Sequence, residues 1–229
     1  LASDIQVFGG IVCSPDITSP NSCVFSSVGG YSKSALLVVF YGGEDFYVQS
    51  RKISGWKPIG RNFHVTRSDG NILYELGGVP AYEVYNKYLS IKNDQNFFYN
   101  ALEFPMLYEH NGVSIVRAAG ASNPDGSLTM TSDIDEGSMI RLSYGEPRLI
   151  VEKIKDESGV CEQFAPEVLH IFSCAARKAF WSQHEPTYEL TPFKGLASST
   201  GFFSHGEFLR EKGFLNQHNI TLVVAAMRE

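Results

Sequence analysis

The sequence predicts an α+β fold made of two α/β units, with mainly antiparallel or mixed sheets flanked by helices. Three observations predict it. Short apolar runs bounded by glycine, proline and asparagine follow one another in series, as strands do. Helix-period segments fall between groups of such runs instead of alternating with each one, which favours antiparallel pairing over a wound parallel sheet. Of 229 residues, 43% are hydrophobic, enough to bury one large core or two modest ones.

Taken in order, Ile5 to Val12 and Ala35 to Tyr41 read as strands separated by a loop rich in serine, proline and glycine. The clearest hairpin spans Asn62 to Leu76 around Asp69-Gly70, a favoured pair for a tight turn. In that register Phe63 faces Leu76, Val65 faces Tyr74 and His64 faces Glu75. After Gly77-Gly78-Val79-Pro80, residues Ala81, Val84, Tyr85, Tyr88 and Leu89 line one side of a helix. Residues 91–112 read as a polar and aromatic connector, with the unit boundary at 95/96. Val113 to Ala119, Ser127 to Thr131 and Ser138 to Ser143 read as strands, and Pro147 to Ser158 as a helix stopped by Gly159. Val168 to Phe172 is then a strand, Ser173 to Trp181 a helix, and Gly201 to Leu209 and Ile220 to Met227 two strands.

Bulk properties narrow the function. The chain carries 19 basic and 25 acidic residues, a formal charge of −6 with no basic run. That argues against nucleic-acid or anionic-membrane partners. Its longest apolar runs are too short to cross a bilayer as a helix. Four cysteines in a chain of this length do not make a disulfide scaffold, and Cys13 and Cys23 match no metal spacing. No secretory leader is visible, so a reduced, cytoplasmic setting is expected. Asp133-x-Asp135-x-Gly137 lacks calcium-loop spacing. His110, His170 and His184 lack metal-ligand spacing. No metal and no cofactor are expected.

The last third is dense in polar and glycine residues where a core hairpin would be apolar. Ser173-Cys174, Arg177, Gly201-Phe202, Gly206-Glu207, Asn219 and Thr221 stand at the places of a family signature. The chain resembles the FIST family, the sensory domains of bacterial signalling proteins, with a eukaryotic branch in F-box proteins. Gly55-Trp56-x-Pro58-x-Gly60, Val65-Thr66 and Gly78-x-Pro80-Ala81 resemble the end of its N-terminal unit. On that resemblance residues 1–95 are the later part of an incomplete N-terminal unit, and 96–229 a C-terminal unit.

The candidate ligand-binding residues are Cys174, Arg177, Ser204, His205, Gly206, Glu207, Asn219 and Thr221. With Ser173 as N-cap, Cys174 would lie in the first turn of a helix, where backbone N–H groups favour a thiolate; a plain buried thiol is the other reading. Arg177 and Trp181, four apart, share a helix face and either stack or present the guanidinium to an anion. Alternation along Gly201 to Leu209 puts Phe203, His205 and Glu207 on one face, about 7 Å apart in succession, and Ser204 on the other. Gly201 and Gly206 mark close approach of a ligand or of another backbone. Asn219 and Thr221 add hydrogen-bonding groups from the partner strand.

The expected function is therefore that of an intracellular sensory domain. The resemblance implies an amino acid or derivative as ligand, and a fused output module such as a diguanylate cyclase or histidine kinase. Arg177 would take a carboxylate and Glu207 an ammonium. Two other readings stand beside it: a protein-recruiting adaptor, and a cysteine-dependent enzyme using Cys174 with His205 or His218 as base. The chain itself is expected not to be an enzyme.

Overall fold

A computed structural model describes residues 5–14, 21–182 and 189–229, so His184 lies outside the described residues. The chain opens with β1 (Phe8–Val12), then a small separate hairpin of β2 (Val24–Ser26) and β3 (Gly30–Ser32). β4 (Tyr47–Ile53), β5 (Trp56–Asp69), β6 (Ile72–Leu76) and β7 (Val79–Pro80) follow, then α1 (Ala81–Leu89) and α2 (Phe97–Leu102). The middle is β8 (Met106–His110), β9 (Val113–Arg117), β10 (Ala119–Ser122), β11 (Leu128–Met130) and β12 (Met139–Gly145). The last third holds α3 (Pro147–Phe164), β13 (Val168–Cys174), α4 (Ala175–Ser182) and a 3-10 turn at Thr191–Phe193. It ends with β14 (Ser198–Glu211), β15 (Phe214–His218) and β16 (Leu222–Arg228).

Two large sheets organise these elements: the six-stranded one takes strands from both ends of the chain, and the eight-stranded one takes the strands between Trp56 and Gly145. The six-stranded sheet runs β1-β14-β13-β16-β4, with β15 also on β14; the eight-stranded sheet runs β10-β11-β6-β5-β12-β8-β9, with β7 on β6. Pairing is antiparallel except between β13 and β14, whose parallel register is reached through the crossover that contains α4. One core lies where α1 and α2 pack on the eight-stranded sheet, around Val65, Leu73, Leu76, Tyr85 and Ile140. The other lies where α3 and α4 pack on the six-stranded sheet, around Ile53, Ile154, Leu169, Phe180 and Val224. The architecture is α+β with mixed sheets, as the sequence pattern predicts.

Several local expectations are corrected. Ala35 to Tyr41 forms no strand; Leu36 and Phe40 are 84% and 79% exposed. An apolar run becomes a strand only when a neighbour offers it a ladder, and none pairs with this one among the described residues. The hairpin turns one residue later than expected, with Gly70-Asn71 as its loop and Asp69 paired with Ile72. Asn71 is drawn into the loop by its own contact, Nδ2 donating to Met130 O at 3.1 Å. Bulges then set Val65 against Leu76 and Arg67 against Glu75, while His64 pairs with Met139 of β12. The stretch 91–112 is no mere connector: it holds α2 and β8, with Phe97, Leu102 and Met106 buried. α3 runs through Gly159 to Phe164 because Ile150, Ile154, Ser158 and Cys161 keep one buried face, and that burial outweighs the cost of one glycine.

Candidate functional site

Ser173 and Cys174 remain in β13, and α4 begins only at Ala175. The strand persists because Cys174 still pairs with Ser204 in β14, and its N–H donates to Thr221 O at 3.1 Å. Cys174 thus stands just ahead of α4 instead of inside its first turn, with the backbone N–H groups of Ala176 and Arg177 still directed at its thiol. Burial, reinforced by the nearby Glu207 carboxyl, pushes the Cys174 thiol well above its ordinary range despite nearby backbone N–H groups. This is a buried structural thiol and not an activated nucleophile. Of its expected bases, His218 is buried with Nε2 2.8 Å from Glu211 Oε2, and His205 is the extra residue of a bulge in β14.

That bulge rearranges the strand faces. Ile11 of β1 pairs with Gly206 and Val12 with Ser204, which leaves His205 unmatched. Ser204 and Glu207 are thereby brought to one side, correcting the strict alternation that had put Glu207 with His205. Ser204 Oγ lies 2.5 Å from Glu207 Oε1 and 3.2 Å from Ser173 O. Thr221 donates to Glu207 Oε2 through Oγ1 at 2.7 Å and through N–H at 3.4 Å. Glu207 is fully buried, and burial pushes its carboxyl up to about 8 against those hydrogen bonds and the pull of Arg177. The geometry suits a neutral acid. A proton on Oε1 passes to Ser204 Oγ as a hydrogen bond, and Ser204 in turn donates to the Ser173 carbonyl.

Arg177 is 1% exposed and meets an anion from its own chain, Glu189. Arg177 Nε donates to Glu189 Oε2 at 2.7 Å, and Trp181 Nε1 donates to the same oxygen at 2.6 Å. Ser173 Oγ donates to the other oxygen, Oε1, at 2.5 Å. The i, i+4 spacing of Arg177 and Trp181 thus serves a shared carboxylate. Arg177 Nη1 also donates to Ser54 O at 2.9 Å and Ile220 O at 3.3 Å, while Nη2 has no hydrogen-bond partner among the described residues. Ile220 O takes a further bond from Trp56 Nε1 at 3.1 Å. Ile220 itself sits at φ 55°, a left-handed conformation that costs a β-branched residue about 1–2 kcal/mol. The donors on its carbonyl hold it there.

The structure therefore brings Cys174, Arg177, Ser204, Glu207 and Thr221 into one buried polar cluster. Asn219 and His205 belong to a neighbouring clamp: Asn219 Oδ1 accepts from Arg117 Nη1 at 2.9 Å, and its Nδ2 donates to His205 O at 3.0 Å. Both glycines mark backbone approach. A Cβ on Gly201 would lie 1.7 Å from Ile171 O, and one on Gly206 would lie 3.1 Å from His218 O. Sequence reasoning missed Glu189, Arg117 and Ile220. Arg117 and Ile220 stand inside predicted strands with nothing to set them apart, and the only sign of Glu189 is an acid ahead of Leu190-Thr191-Pro192-Phe193.

A cleft of about 250 Å³ adjoins the cluster, lined by Ile171, Ser173, Leu190 and the strand from Ser199 to Phe203. β13 covers one edge of β14 from Ser198 to Ser204, whereas β1 begins to cover the other edge only at Ser204. Among the described residues the second edge of Ser198 to Phe203 is thus open, with backbone donors and acceptors free to meet a ligand. A larger hollow of about 750 Å³ lies beside Arg61, His64, Glu83 and Tyr88. Its charged residues Arg61, Glu83 and Lys87 are exposed surface, and no buried orphan polar atom faces it. The smaller cleft is the one joined to the chemistry.

Fold and cluster together define an α+β domain with a polar interior where strands from its two ends meet. The chain belongs to the FIST family: residues 1–79 match the FIST N domain and residues 81–210 the FIST C domain. FIST domains are sensory signal-transduction domains. An uncharacterized protein of Methanocaldococcus jannaschii is 28% identical over 169 residues, covering 68% of this chain and 30% of that protein. The chain thus spans less than a third of that relative. No solved structure matches. No helix among the described residues is long and apolar enough to cross a membrane.

Proposed function

We propose that this domain senses a small molecule, an amino acid or a derivative of one, in the cleft between β13, β14 and Leu190, and relays its occupancy to a fused output module in the cytoplasm. One observation carries the reading: Ser173 lines the cleft and is also the first member of the buried cluster. The cleft's 250 Å³ is below the roughly 300–1,000 Å³ of drug-sized sites and suits a molecule of amino-acid size. Ile171, Leu190, Phe202 and Phe203 supply apolar walls, and Ser173, Ser199 and Thr200 supply hydroxyls.

Relay follows from connectivity. Ser173 and Arg177 share Glu189, and Arg177 reaches Ser54, between β4 and β5. A ligand that moves Ser173 therefore acts on the join between β4 and the C-terminal strands, the differential contact that coupling between sites requires. In the Methanocaldococcus relative the matched stretch is 30% of a longer chain, the arrangement a fused diguanylate cyclase or histidine kinase would need.

Thermal melting with the common amino acids and their simple derivatives tests the reading. A ligand at 100 times its Kd adds about 2.7 kcal/mol, which for a chain of this size raises Tm by roughly 5–10 °C. S173A and F203A are expected to lose most of that rise. No shift with any compound, or full shifts in both variants, would remove the cleft from the account.

A further inference from the structure

Resting on that reading, the cluster says more about the ligand. Glu189 lies in a turn, outside helix and strand, yet is 3% exposed and has both carboxylate oxygens occupied. Its three donors, Ser173 Oγ, Arg177 Nε and Trp181 Nε1, come from consecutive elements β13 and α4 and converge within 2.5–2.7 Å. Such a set of charge-assisted donors is a carboxylate receptor. One of them, Ser173, is also a wall of the cleft, and Leu190, next to Glu189, is another.

We infer that Glu189 is a resident stand-in, and that an effector carrying a carboxylate on a small apolar body enters the cleft and displaces Glu189 from Ser173, Arg177 and Trp181. Arg177 can change partners without moving, because its Nη1 stays anchored on Ser54 O and Ile220 O. Its buried Nη2 has no partner among the described residues and supplies a further donor. Exposed Lys178, with Nζ 4.9 Å from the centre of the Phe203 ring, places a positive charge at the rim. The apolar walls of Ile171, Leu190, Phe202 and Phe203 select the body of the ligand. Released Glu189 regains water, so its departure offsets part of the cost of exchange. The competition weakens apparent affinity by the fraction of chains in which Glu189 already stands aside. Its release is the structural event that occupancy produces.

The experiment uses the whole chain with 3-phenylpropionate as probe and 3-phenylpropanamide as its neutral twin. Calorimetry measures binding to wild type, Glu189→Ala and Glu189→Gln, and the Trp181 indole N–H resonance is followed during titration of wild type. We expect Glu189→Ala to bind the acid at least tenfold more tightly than wild type, Glu189→Gln to fall between them, and the amide to bind none. The Trp181 resonance of wild type should move with the acid alone. Equal affinity for acid and amide, an acid affinity unchanged by both substitutions, or an unmoved Trp181 resonance at saturating acid overturns the inference, the last holding even where the variants do not fold. An amino acid that stabilises wild type and Glu189→Ala equally would leave the sensory cleft standing and remove the stand-in. Acid binding to Glu189→Ala with no amino-acid binding to wild type would do the reverse.

Discussion

Glu207→Gln separates the charge of the central carboxyl from its shape. The carboxyl is fully buried between Ser204 and Thr221 and is pushed from its ordinary 4.5 up to about 8. Between those values the folded chain holds a proton that the unfolded chain has released. Stability from this group is therefore fully present below about pH 4.5, falls as pH rises, and is gone above about pH 8. The folding equilibrium shifts by up to tenfold per pH unit within that window. Glutamine has the same shape and no titration, so its variant lacks this slope. Urea midpoints of both proteins at about pH 5, 6, 7 and 8 give the difference, in which all other titrating groups cancel to first order. The variant should gain on wild type steadily across the series. A flat difference, or a variant that loses ground as pH rises, would mean Glu207 is ionised and would refute the neutral-acid geometry.

Other perturbations follow from the same geometry. Gly201→Ala would drive a Cβ to 1.7 Å from Ile171 O; separating β13 from β14 should cost at least about 3 kcal/mol, read as a lower urea midpoint or loss of soluble protein. Trp56→Phe removes the indole donor to Ile220 O, exposes the left-handed strain of Ile220, and should cost about 1–3 kcal/mol by chemical denaturation. Iodoacetamide at neutral pH should label exposed Cys23 in the folded chain and reach Cys174 only on unfolding; native labelling of Cys174, mapped by mass spectrometry, would contradict its burial.

Much of the fold is legible in the sequence where pattern and partner agree. The strands at Val168 and Leu222 follow from their apolar runs, and the helix at Ala81 from its apolar periodicity and the Gly77-Gly78-Val79-Pro80 ahead of it. The failures share a physical cause. Ala35 to Tyr41 has strand composition, but only tertiary pairing can make a strand, and it has none among the described residues. Gly159 carries a stop signal, but the buried face of α3 overrides it. Within the site, residue types were readable and geometry was not. Ser204 and Glu207 meet because a single bulge at His205 resets the alternation, and a bulge leaves no mark in composition. Glu189 reaches Arg177 from 12 residues away through a turn, a partnership fixed by the crossover and not by local spacing. Asn219 reads as a ligand group in isolation, and becomes structural only once Arg117 is seen to hold it.

Hydrogen–deuterium exchange on the wild-type chain, with and without the amino acid that raises its melting point most, is the sharpest trial of the coupling between cleft and interior. Protection should change at Ser199 to Phe203, where the ligand sits, and also in β4 and the Ser54 to Trp56 join, which the Ser173–Glu189–Arg177 connection links to it. Change confined to β14, with β4 and its join unaltered at saturation, would contradict the relay.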